Sequence, residues 1–188
     1  DFSRESGREQ AAKLFAARPL PSTKDEHWRF TDLRGFDPQE VSDTVPVSDT
    51  KPALDLDVAA RAVVTESGIE ILSAPEGVRF ELLPRDHAAT LIPDDDRFAA
   101  ENLANWEHGL LVHVAKGVEL EKPLYVQVTS SGGTLFWRMV VVAEEGARFS
   151  LIEDLSSTAP DTVAYTNAVV ELFVHSASKI EYVSLQHL

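Results

Sequence analysis

The chain has 188 residues, a mass of 20.7 kDa and 44% hydrophobic content, enough for one sizeable core or a small domain beside a larger one. Its 17 basic against 31 acidic residues leave a net charge of −14, which repels nucleic-acid phosphates and anionic membranes and argues against any polyanion-binding role. No apolar run reaches the ~18 residues of a membrane span, and the first ten residues, DFSRESGREQ, carry no apolar signal core, so the expected location is the cytoplasm.

In chain order, Ser3 is placed to cap a first helix through Ala11, Leu14 and Phe15, which Pro19 ends. Thr23 to Glu26 spells a T-x-x-E capping box worth about 1 kcal/mol, predicting a second short helix. Trp28 offers that helix a large apolar face, with Arg29 beside it able to stack or to pair with an acid. If Trp28 is well buried, Trp28→Ala is expected to cost roughly 3 kcal/mol. From Phe36 to Asp57 the composition turns to Asp, Ser, Thr, Val and spaced prolines, which reads as a linker. The expected division is residues 1–58 as helical region and linker, and residues 59–188 as a β core. Ala62–Thr65 and Gly68–Leu83 read as short strands, and Asp94–Trp106 as one helix. The acids Asp94, Asp95 and Asp96 suit the positive end of that helix and need no metal.

From Gly109 onward the hydrophobic period is two: Leu110, Val112, Val114, then Leu124, Val126, Val128, then Trp137, Met139, Val141. The turns between these runs echo one another at Lys116-Gly117-Val118, Glu145-Gly146-Ala147 and Ser176-Ala177-Ser178, with the small residues spaced 29 and 31 apart. A strand-turn-strand unit at near-constant spacing predicts stacked coils, closing either as a β-helix or as a jelly roll of hairpins.

Candidate chemistry is sparse. His108 and His113 are five apart, which on one strand puts them on opposite faces and excludes a shared metal. His175 is expected on the strand face of Glu171 and Phe173, in an outward or interface position. Glu119, Glu121, Glu153 and Asp154 are the acids a β-helix or jelly-roll carbohydrate enzyme would need as a converging pair, but the first two bracket a strand end and the last two are expected to open a polar loop. No nucleophile elbow, phosphate loop or zinc-helix motif occurs, so no catalytic residue is assigned. With no cysteine, the chain by itself lacks the thiolates that hold an iron-sulfur cluster.

Two stretches carry a family resemblance. PLPSTKDEHWRFTDL, residues 19 to 33 with Glu26, Trp28, Arg29 and Thr31, resembles the N-terminal signature of SufB/SufD iron-sulfur cluster assembly proteins. FAAENLANWEHGLLVHVAKGVELEKPLYVQV, residues 98 to 128, is similar to the next signature, carried here by Asn102, Ala104, Gly109, Gly117 and Pro123. The glycine-punctuated strands of residues 66 to 83 add to it. The resemblance implies a mainly β fold, a right-handed parallel β-helix preceded by a small α-helical region, with Ser130–Thr134 and Ser156–Val163 as loops leaving the stack. It implies a non-enzymatic assembly subunit, and the missing cysteines favour the SufD branch. Its implied partners are a SufB-like scaffold subunit and a SufC-like ATPase, the latter docking on a C-terminal helical region beyond Leu188. A cluster would then exist only in the assembled complex, to which the subunit supplies iron. The final segment, with Ile180, Tyr182, Val183 and Leu185, is expected to form an open strand edge and to support a homodimer through residues 169 to 188.

Overall fold

Strand-forming residues at every second position dominate the second half of the chain, and the computed structural model is accordingly mainly β. It describes residues 5–38, 41, 55–85, 91, 96–158 and 163–187. Helix α1 (Glu5–Ala17) comes first, followed by strands β1 (Ala60–Thr65), β2 (Gly68–Ser73) and β3 (Val78–Leu82). Helix α2 (Arg97–Asn105) precedes β4 (His108–Val114), β5 (Leu124–Ser130), β6 (Gly133–Ala143), β7 (Arg148–Ser157), β8 (Ala164–Val174) and β9 (Lys179–His187).

The strands form two mixed sheets, ordered β2-β1-β5-β7-β9 and β3-β4-β6-β8. Only β2 and β3 pair antiparallel with their neighbours; the other ladders are parallel. From β5 onward each strand lies in the opposite sheet to the one before it, and from β4 onward each pairs with the strand two steps away. Parallel pairing of this kind excludes a stack of hairpins. His108 stands opposite Trp137 and Trp137 opposite Ala168, offsets of 29 and 31 residues, matching the spacing of the turns.

The facing sides of the sheets supply the core. Val64, Val126 and Leu151 of the first sheet and Val112, Met139 and Val141 of the second are fully buried in one cluster. Each such side chain contributes about 1.5–3 kcal/mol when removed from water.

The echoed turns share one geometry, and it begins a turn earlier than the sequence pattern shows. Val78, Val118, Ala147 and Ser178 donate their backbone N–H to Pro75, Ala115, Glu144 and His175 at 3.1, 3.2, 2.9 and 3.2 Å. The residue before each donor, Gly77, Gly117, Gly146 or Ala177, has φ of 80, 70, 74 or 57°. Glycine takes this region freely, so the small second position of the echo is a backbone requirement met with strain only at Ala177. The turns also stack: Gly117 donates to the carbonyl of Glu145 and Gly146 to that of Ser176, both at 3.0 Å.

Several local expectations are corrected. The capped second helix is a single 3₁₀ turn, Glu26–Trp28. The Asp25 carboxylate instead accepts from Ser22 N at 2.7 Å and Ser22 Oγ at 3.0 Å, a local side-chain bond that competes with the capping box. Helix α2 starts at Arg97, capped by Asp96, whose Oδ1 accepts from Ala99 N at 2.9 Å. Asp94 and Asp95, Ser3 and most of the linker lie outside the described residues. The Ser130–Thr134 loop shrinks to Ser131 and Gly132, and β7 continues through Ser157.

Helices α1 and α2 are joined by a reciprocal arginine exchange that the sequence pattern does not announce. Arg97, at the start of α2, donates to the carbonyls of Phe15 (3.0 Å) and Arg18 at the end of α1 and lies 4.4 Å over the Phe15 ring. Arg8 of α1 donates to Ala104 O (3.3 Å) and Trp106 O (3.0 Å) at the end of α2 and lies 4.8 Å over the Trp106 ring. Each guanidinium thus satisfies carbonyls that a helix end leaves unpaired.

Candidate assembly surface

The outer side of the second sheet is closed by α2 through a polar layer. Asn102, fully buried, donates from Nδ2 to the backbone carbonyls of Trp137 (3.1 Å) and Asn167 (2.9 Å) on β6 and β8. Asn167 returns the bond to Phe98 O at 3.0 Å, and the Glu101 carboxylate accepts from Asn167 at 3.1 Å and from Tyr165 Oη at 2.5 Å. Burial, then the bond to Glu101, pushes the Tyr165 phenol well above its ordinary range. Gly109 lies where a Cβ would stand 2.7 Å from Leu83 Cβ and 2.9 Å from the Trp106 ring. Deeper under this layer, Arg138 and Glu171 are nearly fully buried 3.9 Å apart, with Leu91 N donating to Glu171 at 2.8 Å.

The N-terminal segment meets α2 by its rings. Trp28 is half-buried, its centroid 5.1 Å from Phe98, and Phe36 continues the aromatic row to Tyr165 at 5.5 Å. Arg29 stacks 4.5 Å over Phe30, which is 88% exposed, rather than pairing with an acid. Glu26 and Thr31 are exposed, and Thr31 N donates to Trp28 O at 2.8 Å. Ala104 lends its carbonyl to Arg8, and Pro123 lends its own to Ala59 N at 2.9 Å, where the chain enters β1.

At the other end of both sheets the last strands are edges. Among the described residues nothing pairs with the outer side of β8 or β9. Leu172, Ile180 and Tyr182 face the core only partly covered, while Val174 and Val183 are 52% and 45% exposed and Leu185 is half-buried. An uncovered apolar row beside open backbone groups is what a further strand pairs with.

Glu153 and Asp154 correct the expected loop: both lie inside β7 and are buried. Neighbouring strand residues point to opposite faces. Glu153 sits in the row of Leu151 and accepts a short hydrogen bond from Tyr182 Oη, while Asp154 accepts one from Tyr125 Oη on the other face. Burial and the Glu153 bond push the Tyr182 phenol well above its ordinary range. Two acids directed apart cannot converge on a glycosidic bond.

His108 and His113 both lie on β4 and go separate ways, His108 Nε2 to Glu66 O at 3.1 Å and His113 Nε2 to Glu144 at 2.8 Å. That bond, helped by Lys116 N, holds the Glu144 carboxyl below its usual range. His175 is exposed just past β8, but Glu171 of the preceding strand face is buried, because the face expected outward lies against the α2 layer. Among the described residues no three His, Cys, Asp or Glu side chains converge as a metal set, and no helix is long and apolar enough to cross a membrane.

Two facing, mostly parallel sheets with a helix pair bound to one flank and open strands at one end define a β scaffold. Residues 126–188, covering β6 to β9 and most of β5, match the family described as SUF system FeS cluster assembly, SufBD core domain. An iron-sulfur cluster assembly SufBD family protein of Staphylococcus epidermidis is 34% identical over 110 residues, 57% of this chain and 24% of the relative. One from Staphylococcus haemolyticus is 26% identical over 213 aligned residues, 96% of this chain and 46% of the relative. The chain is thus similar to SufBD family proteins over these stretches, and it spans less than half the length of these curated relatives.

Proposed function

We propose that the chain is a non-enzymatic subunit of an iron-sulfur cluster assembly complex, SufD-like in lacking cysteine, whose two sheets are coils of a right-handed parallel β-helix. The observation that carries this reading is where the family match falls: residues 126–188 include both open strands, β8 and β9. On this reading the residues 59–188 are the β-helix unit and residues 1–58 its N-terminal helical region. The β8/β9 end, with Ile180, Tyr182, Val183 and Leu185, pairs with a SufB-like subunit in the cytoplasm, and without that partner with a second copy of the chain. The cluster belongs to the assembled complex and not to this chain, and a SufC-like ATPase is the further member of that complex.

Co-purification with a SufB-like and a SufC-like protein of one organism tests the proposal. Retention of the SufB-like protein is expected, and charged substitutions at Val183 and Leu185 should abolish it. No retention of the SufB-like protein by the folded parent chain overturns the pairing.

A further inference from the structure

The outer face of the first sheet holds a carboxylate whose bonding is incomplete. Asp154 is 0% exposed. Its Oδ2 accepts from Tyr125 Oη, but among the described residues Oδ1 has no hydrogen-bond partner. Buried polar atoms are almost always partnered, and a bound ion is one of the few explanations for an exception. The group facing Oδ1 is His187 Nε2 at 3.6 Å, on the adjacent strand β9. That separation is too long for a hydrogen bond. It is close to the roughly 3.4 Å between two ligands held tetrahedrally by one metal ion at bond lengths of about 2.0–2.2 Å.

We propose that Asp154 Oδ1 and His187 Nε2 are two ligands of a single divalent first-row transition ion of the zinc type, with Tyr125 as a positioning residue. Tyr125 fixes Oδ2, which directs Oδ1 toward the ion, as hydrogen-bonded outer groups do around metal-ligating carboxylates. One carboxylate with one imidazole and no thiolate suits zinc, cobalt or manganese better than copper(I), and the imidazole disfavours calcium and magnesium. Entry is from the side of His187, whose side chain is 48% exposed. Among the described residues two side chains reach the ion and water takes the remaining positions, so the ion exchanges readily. Glu153 is not a ligand: it points to the opposite face and is bonded by Tyr182. The site shares β9 with the assembly edge proposed above and is therefore tested in the chain alone.

The test uses the 188-residue chain with Zn²⁺ or Co²⁺ alone. Co²⁺ should give a visible ligand-field band saturating at one equivalent and should broaden the ring resonances of His187 selectively among the six histidines. His187→Gln should remove the band and weaken Zn²⁺ binding at least about tenfold. Tyr125→Phe, folded by far-UV circular dichroism, should keep the band but require more Co²⁺ to reach it. Equal Zn²⁺ affinity in parent and His187→Gln overturns the site. Should that variant not fold, the parent decides alone: His187 resonances broadened no more than those of His108 and His113 overturn the proposal.

Discussion

At the scale of single residues, polar and small side chains here are fixed by close neighbours. Asn102 donates to carbonyls on two strands that belong to different segments of the chain, so its replacement by leucine strands buried groups on both sides. Asn102→Leu is expected to cost about 2–3 kcal/mol. Gly109 has no special backbone angle; it is glycine because Leu83 and Trp106 fill the place of a Cβ. Gly109→Ala should cost about 1–3 kcal/mol by overpacking, and a urea midpoint equal to that of the parent would refute this account. For Trp28 the half-buried ring and its stacking on Phe98 reduce the expected effect of Trp28→Ala to about 1–2 kcal/mol, below the value for full burial. Trp28 stands out in the sequence as a lone large aromatic in a polar segment, and Asn102 only through the family resemblance. What each one touches is not, because Trp28 and Phe98 are seventy residues apart and meet only through the fold.

At the scale of elements, the helix pair is tied together by charge placed at helix ends. Arg97→Ala removes the donors to Phe15 O and Arg18 O and the stacking on Phe15. A loss of about 1–2 kcal/mol is expected, with the amides of α1 exchanging faster than those of β5 and β6. Uniform exchange rates across the chain would show that α1 is held by something else. The strands were readable because a period of two needs only the sequence to be seen. The failure at Glu153 and Asp154 has a physical cause: adjacent acids read as loop by polarity, whereas their burial is decided by Tyr182 and Tyr125 arriving from other strands to donate to them.

At the scale of the whole molecule, the two raised phenols make stability depend on alkaline pH. Tyr165 and Tyr182 ionise above the ordinary value of 10.0 when folded, so the protonated form is favoured in the native state. Their contribution is complete below pH 10, where both states are protonated, and is lost as pH rises beyond it because the unfolded chain releases its protons first. Urea unfolding at pH 8 and pH 11 should show a loss that is smaller in the Tyr165→Phe/Tyr182→Phe double variant; an equal loss in both refutes the linkage. Light scattering over a concentration series should show self-association of the isolated chain that Val183→Lys suppresses, whereas a monomer throughout would mean that the β9 edge does not pair. The sequence by itself determined the alternation of the strands, the glycine-bearing turns and their near-constant spacing, since these are local demands of backbone geometry and of one buried face per strand. Only the tertiary structure decided which strands share a sheet, that α2 closes one flank through Asn102, and that acids lie buried inside β7, because each of these depends on partners brought together from distant parts of the chain.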